Sequence, residues 1–339
     1  MTVLYRKYRP NQWSEVLGQA PIVAALTDAL KQERLSHAYL FSGSRGTGKT
    51  TVARLLAKAA GATDEDIYEI DAASNRGIDD IRELREHVSA LPFSSPFKVY
   101  IIDEVHMLSK DAWNALLKTL EEPPQHVIFI LATTELDKVP ETIVSRCQTF
   151  SFRQPSREIL REQLTVVAKA EGYELDPGAA DLLALLGDGS FRDALGSLEK
   201  AIAAAGKSKQ LTRTKVEELT GAPRATQVNE LLSALLSRQA DQALRTITTA
   251  AGQGLSMNTL LTLLLEKARF ILLLTHSASS AEVIRNRVSP DDWEFISAQA
   301  AGKLMKPALL TALLTAAEAT PRAAIESLPL ELAAVEICG

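Results

Sequence analysis

A chain of 339 residues exceeds what one compact core usually holds, so two or three domains are expected. With 46% hydrophobic, 23% charged and 5% aromatic residues, the composition excludes a disordered chain and points to a helix-rich globular one. The formal charge of -5 lacks the basic excess by which a protein is held to nucleic acid through charge alone, so any DNA contact must be local.

The N-terminus carries Arg6, Lys7 and Arg9 with no apolar core behind them, so it does not read as a secretory signal. Apolar stretches such as 270–274 and 307–317 fall short of the roughly 20 residues of a membrane span, and no membrane partner is expected. Cys147 and Cys338 cannot build a disulfide framework or a Cys-only zinc site, which makes the cytoplasm the expected compartment.

The first chemistry-bearing segment follows a short apolar run, SHAYLFS at 36–42, which predicts a strand. Gly43, Ser44, Arg45, Gly46, Thr47, Gly48, Lys49 and Thr50 come next, and TVARLLAKAA, starting at Thr51, then spaces its apolar residues helically. Strand, glycine-rich loop and helix form a P-loop: backbone amides cradle phosphate oxygens, Lys49 reaches the terminal phosphates of ATP, and the Thr50 hydroxyl ligates Mg²⁺. The alternation continues through YEID near residue 70, the helical IDDIRELREHV, strand KVYIID at 98–103, helix DAWNALLKTLEE and strand HVIFILATT at 126–134. Such alternation predicts an α/β domain with a parallel sheet.

Asp103 and Glu104 stand at the C-terminal end of a buried strand, where open parallel sheets keep their ligands. Asp103 suits Mg²⁺, and Glu104 suits the polarisation of a water attacking the γ-phosphate. At the end of the next strand, Thr134 can orient water and register the third phosphate, although threonines also cap turns and spacing does not choose between these roles. Arg146, in the triplet SRC, has the placement of an arginine finger that need not serve its own ATP, but taken alone a surface arginine is more often simply solvated. Arg192 opens a helix behind a Ser190 cap, where it can project toward nucleotide from a hinged lid.

Around Pro155 the pattern changes, and everything onward reads as helices broken by glycine and proline. From about Pro223 the chain is a Leu- and Ala-rich helical unit without strands or catalytic-looking clusters.

These motifs, in this order, resemble the AAA+ ATPases. The wording of YRKYRPNQWSEVLGQ, HAYLFSGSRGTGKTT, EIDAASNRGIDDIREL, KVYIIDEVHMLSKDAWNALLKTLEEPP, LATTELDKVPETIVSRCQTF and GDGSFRDALGSLEKAI is similar to the gamma/tau family of bacterial DNA polymerase III clamp loaders, over most of residues 1–200. The resemblance implies an AAA+ RecA-like ATP-binding domain over 1–154, a small helical lid over 155–221 and an all-helical oligomerisation collar over 222–339. It implies Lys49 and Thr50 as Walker A, Asp103 and Glu104 as Walker B, Thr134 as sensor 1, Arg146 acting in trans and Arg192 as sensor 2. It adds Arg9 and Pro10 at the adenine end, and Asn75, Arg76, Arg82, Lys118 and Thr142 facing DNA through contacts that read no sequence.

The partners implied are clamp-loader delta and delta-prime subunits, further copies of the chain, a sliding clamp and primed DNA. The activity implied is ATP hydrolysis within a DNA-directed DNA polymerase complex, with clamp opening on ATP and release on hydrolysis. One departure stands out: where the family inserts a four-cysteine zinc module, only Thr63, Asp64, Glu65 and Asp66 remain, so no zinc is expected. The chain also ends soon after the collar, as gamma-type forms do and tau-type forms do not. Two rival readings are another AAA+ DNA motor such as a branch-migration helicase, and a scaffold subunit that binds ATP without hydrolysing it.

Overall fold

The structure, a computed structural model, describes residues 3–74, 84, 87–206, 209–277, 279–285 and 288–339. Its contacts group into two units, one of residues 1–160 and 187–196 and the other of residues 161–186 and 197–339.

The first unit is built on five parallel strands: β1 (Ala38–Ser42), β2 (Ile67–Asp71), β3 (Lys98–Asp103), β4 (Val127–Thr133) and β5 (Gln148–Ser151), in the order β2-β3-β4-β1-β5. Strands β1 and β4 are buried along their whole length and β3 up to its last residue, so they read in sequence as unbroken apolar runs. Successive side chains leave opposite faces. Leu40, Ile102, Phe129 and Leu131 pack with Trp113, Leu116 and Leu120 of the helix Lys110–Glu121 on one face. Tyr39, Phe41, Ile101 and Ile130 pack with Leu26 of Ala20–Lys31 and with Val52 and Leu56 of Lys49–Ala59 on the other. Tyr68, Tyr100 and Phe129 stack across β2, β3 and β4 with ring centroids 5.1 and 5.6 Å apart, and the buried Lys98 ammonium sits 5.1 Å from the Tyr68 ring.

Pro123 and Pro124 end the helix Lys110–Glu121 as expected, because proline cannot donate and restricts the residue before it. The abbreviated connection at Thr63–Asp66 closes on a carboxylate. Asp66, fully buried, accepts hydrogen bonds from the amides of Phe93, Ser94 and Ser95 at 2.7, 3.0 and 3.1 Å, and from the Ser95 hydroxyl. Burial alone would raise its pKa, but the Ser95 hydroxyl and these three amides bring it down to about 2.

Among its described residues, the second unit has one small strand pair beside its helices. Leu175 pairs with Leu211 and Glu174 with Gln210 as a two-residue parallel ladder, a departure from the wholly helical expectation beyond Pro155. Segments this short carry no period. The core joins Leu231, Leu235, Ile247, Leu264, Ile271 and Leu313 from successive helices. Within it Asp292 receives the Lys267 ammonium at 2.5 Å and the Arg213 guanidinium at 2.6 Å, and Arg213 also meets Glu217 at 2.9 Å. Burial opposes the Asp292 charge, yet Lys267 and Arg213 hold its carboxyl below the usual range. Two cations on two anions leave the cluster neutral, the condition under which buried charge is tolerated. Among the described residues no helix is long and apolar enough to cross a membrane.

Asp66→Ala should unfasten the 93–95 loop locally. With about 1–3 kcal/mol of hydrogen bonding removed, the Phe93, Ser94 and Ser95 amides should exchange with solvent about 10- to 100-fold faster. The native carboxyl titrates below its ordinary 3.8, so its contribution is present above that pH and is lost as pH falls toward about 2. The exchange difference between variant and parent should therefore shrink across that window; a difference at pH 2 as large as at pH 6 would contradict the assignment.

Candidate nucleotide site

The parallel register brings the C-terminal ends of β1, β3 and β4 side by side, with β4 in the middle. The loop Gly43–Gly48 leaves β1, with the Gly43 amide donating to the Thr133 carbonyl at 3.2 Å. Two glycines here are required by close approach. At Gly43 (φ +141°) a Cβ would lie 2.5 Å from the Phe152 carbonyl oxygen, and at Gly46 (φ +74°) one would lie 2.0 Å from the Ser190 hydroxyl. The Gly46 carbonyl accepts from the Phe191 amide at 3.1 Å. Ser190 is buried and its hydroxyl accepts from the Asp193 amide at 3.2 Å, capping the helix Phe191–Ala204 as its sequence suggested.

Lys49 is buried at the start of its helix, and its ammonium donates to the carbonyls of Gly43 at 2.7 Å and Ser44 at 2.9 Å. Burial pulls its pKa down, while Glu104 and Asp103 oppose and Arg192 adds to the fall. The next residue, Thr50, donates its hydroxyl to Asp103 Oδ2 at 2.8 Å. The other Asp103 oxygen accepts from the Glu104 amide at 3.0 Å. Thr47 closes the loop on the Ser44 carbonyl at 2.9 Å, and Gln154 donates to the Ser44 hydroxyl at 3.2 Å. Arg45 is exposed and Thr51 half-buried.

Glu104 adopts a left-handed conformation with φ +48°, uncommon for a residue with a long side chain. Thr134, just past the end of β4, donates to Glu104 Oε2 at 3.0 Å. Arg192 lies 5.6 Å from the Tyr5 ring, a contact with no signal in the sequence, and its charge reaches both Lys49 and Arg9. Half-buried Arg9 is drawn below its ordinary pKa by burial, then by Arg54, with Glu69 opposing and Arg192 and Arg6 adding. Arg54 is itself paired with Glu69, Nη2 to Oε2 at 2.6 Å. The Arg192 charge thus lies close enough to act on both Lys49 and Arg9, a concentration of positive charge suited to a polyphosphate.

Two further contacts were not legible beforehand. Gln19 in the VLGQ segment is buried and holds Arg153 by both backbone groups, donating to its carbonyl at 2.7 Å and accepting from its amide at 3.2 Å. His106, two residues beyond Glu104, touches Thr133 and Glu135.

Arg146 lies apart from this group. Its guanidinium donates to Glu121 at 2.7 Å and to the Thr142 carbonyl at 2.7 Å, half exposed at the end of the helix Glu141–Val144. Lys118 and Thr142 are exposed on their helices, Pro10 is half-buried, and Asn75, Arg76 and Arg82 lie outside the described residues.

A family model described as DNA polymerase III, delta subunit, matches residues 18–76 and 62–156, and one described as DNA polymerase III clamp loader subunit, ATPase lid domain, matches 159–207. The DNA polymerase III subunit tau of Bacillus subtilis is 43% identical over 74% of this chain and 48% of its own length, and that of Escherichia coli is 41% identical over 76% and 43%. The chain thus spans less than half the length of these two relatives. DNA polymerase III subunit gamma of Buchnera aphidicola subsp. Schizaphis graminum is 38% identical over 79% of this chain and 78% of its own. Among solved structures, the Thermotoga maritima RuvB Holliday junction branch migration motor matches with a TM-score of 0.54 at 19% identity, over 68% of this chain and 79% of that one, a likeness of fold alone. A five-stranded parallel AAA+ sheet, an ATPase lid and relatives near 40% identity lead to one conclusion: the chain belongs to the gamma/tau family of DNA polymerase III clamp-loader subunits.

Proposed function

We propose that this chain is an ATP-hydrolysing motor subunit of the clamp loader, which binds ATP to help grip and open a ring-shaped sliding clamp on primed DNA and hydrolyses it to release the clamp. The observation that carries the reading is the Thr50 hydroxyl bonded to Asp103 at 2.8 Å beside a buried Lys49. A hydroxyl and a carboxylate are the hard oxygen donors that suit Mg²⁺, which keeps most of its shell for water and phosphate oxygens. Bound between them, Mg²⁺ would neutralise charge on the β- and γ-phosphates.

Lys49 holds the terminal phosphates in exchange for its two loop carbonyls, and the amides of Ser44 to Thr51 line the cradle. Glu104, anchored by Thr134, orients the attacking water and takes its proton. Arg192 adds positive charge from the start of the lid, and Arg9 with Pro10 borders the adenine end. Arg146, facing Glu121 rather than its own phosphate loop, serves the ATP of a neighbouring subunit, so that turnover waits on assembly.

In this reading 1–154 is the ATP-binding domain, 155–221 the lid and 222–339 the oligomerisation collar, with delta and delta-prime subunits and further copies completing a cytoplasmic ring. Lys118 and Thr142 face DNA from inside it. A branch-migration helicase shares the fold, but the relatives near 40% identity are polymerase III subunits. A non-hydrolysing scaffold has no use for Glu104 held by Thr134.

Lys49→Ala should weaken ATP binding about 10- to 100-fold, the worth of a charge-assisted contact. Glu104→Gln should instead leave ATP affinity nearly unchanged and lower turnover by about 10²- to 10⁴-fold. Titration with a fluorescent ATP analogue and single-turnover hydrolysis separate the two, and equal loss of binding in both variants would overturn the division of roles.

Arg146→Ala should bind ATP normally in isolation. In the ring reconstituted with partner subunits, clamp and primed DNA, its stimulated turnover should drop about 10³-fold. Wild-type stimulation would sink the trans assignment.

A further inference from the structure

We infer that His106 is a positioning residue for hydrolysis, holding the Glu104 carboxylate in register and tying it to Glu135, the residue that follows Thr134. The inference rests on Glu104 acting as the base.

The left-handed bend at Glu104 starts a short turn, Val105–Met107, that turns the His106 side chain back beneath the end of β4. The imidazole is 6% exposed and engaged on both edges. Nδ1 lies 3.0 Å from the Thr133 hydroxyl, a hydrogen bond, and 3.5 Å from Glu104 Oε2, a close contact that becomes an ion pair only when the imidazole carries both protons. Nε2 lies 3.2 Å from Glu135 Oε1. Flipping the ring would disturb both sets of contacts, so its orientation is fixed by its neighbours.

The contacts on the far side are also pinned. The Thr133 hydroxyl, fully buried, accepts from the Glu135 amide at 3.0 Å, and Glu135 Oε2 holds the Lys138 ammonium at 2.7 Å. Glu104 is therefore hydrogen-bonded by Thr134 at 3.0 Å and, at the same Oε2, packed 3.5 Å from an imidazole that the Thr133–Glu135 segment holds in place. A glutamate side chain 29% exposed to solvent has rotamers to explore, and these two restraints remove them. The same segment runs on through Lys138 to the helix Glu141–Val144 and Arg146. The imidazole thus joins the base of one site to the segment that ends in the arginine assigned to the next.

The experiment uses the chain in its reconstituted ring with partner subunits, clamp and primed DNA, and compares His106→Ala, His106→Asn and Glu104→Gln. His106→Ala should lower kcat about 10- to 100-fold, the cost of a misplaced base, while affinity for a fluorescent ATP analogue stays within about twofold of the parent. His106→Asn, whose amide can stand where Nδ1 stood, should regain most of the lost rate, and it carries the test if the alanine variant fails to fold. Parent-like turnover in His106→Ala, a rate loss matched by an equal loss of ATP affinity, or an asparagine variant as slow as the alanine one would each overturn the inference. Should Glu104→Gln turn over at the parent rate, the base assignment itself falls and takes this inference with it.

Discussion

A hydroxyl in the first turn of the helix that follows one strand's loop and a carboxylate at the end of another strand meet across an intervening strand, and the rest of the site is arranged around that contact. Thr50 follows β1, Asp103 ends β3, and β4 runs between them. Only an all-parallel sheet places three such ends on one edge, and only in the order found here does β4 deliver Thr133 and Thr134 into the gap. Both faces of that sheet have to be covered, which the two apolar clusters accomplish with helices on either side.

The electrostatics follow from the same placement. Asp103 and Glu104 supply negative charge at the floor of the pocket, while Lys49, Arg192 and Arg9 supply positive charge around it. Burial weakens the hold of Lys49 and Arg9 on their protons, and the nearby Arg192 charge adds to that. In the proposed function a polyphosphate would be met by Lys49, Arg192 and Arg9 together, and its binding would tie the helix start at Arg192 and the N-terminal segment to the phosphate loop. A pocket whose parts are held by their ligand is a natural switch.

Much of this was legible in the sequence because the residues obey local rules. Strands β1, β3 and β4 are buried on both faces and read as apolar runs, and the glycines, Lys49 and Thr50 sit in fixed spacing between a strand and a helix. β5 was not legible, since Gln148–Ser151 is short and mostly exposed and pairs only because β1 offers an edge. Lys267 and Asp292 lie 25 residues apart, and the only sign was a lysine inside an otherwise apolar stretch. His106 and Tyr5 act through partners distant in sequence, and spacing does not report such contacts. The closed Asp66 loop, likewise, is a matter of three amides converging on one carboxylate, which nothing in the tetrad Thr63 to Asp66 announces.

The central claim is that the pocket converts the presence of a third phosphate into a grip on another protein. The most direct measurement mixes the purified chain with delta and delta-prime subunits and asks which nucleotide allows the assembly to capture a sliding clamp. Capture is expected with ATP or a slowly hydrolysed analogue and little with ADP. Capture that is equal in ADP and ATP, or absent in both, would contradict it.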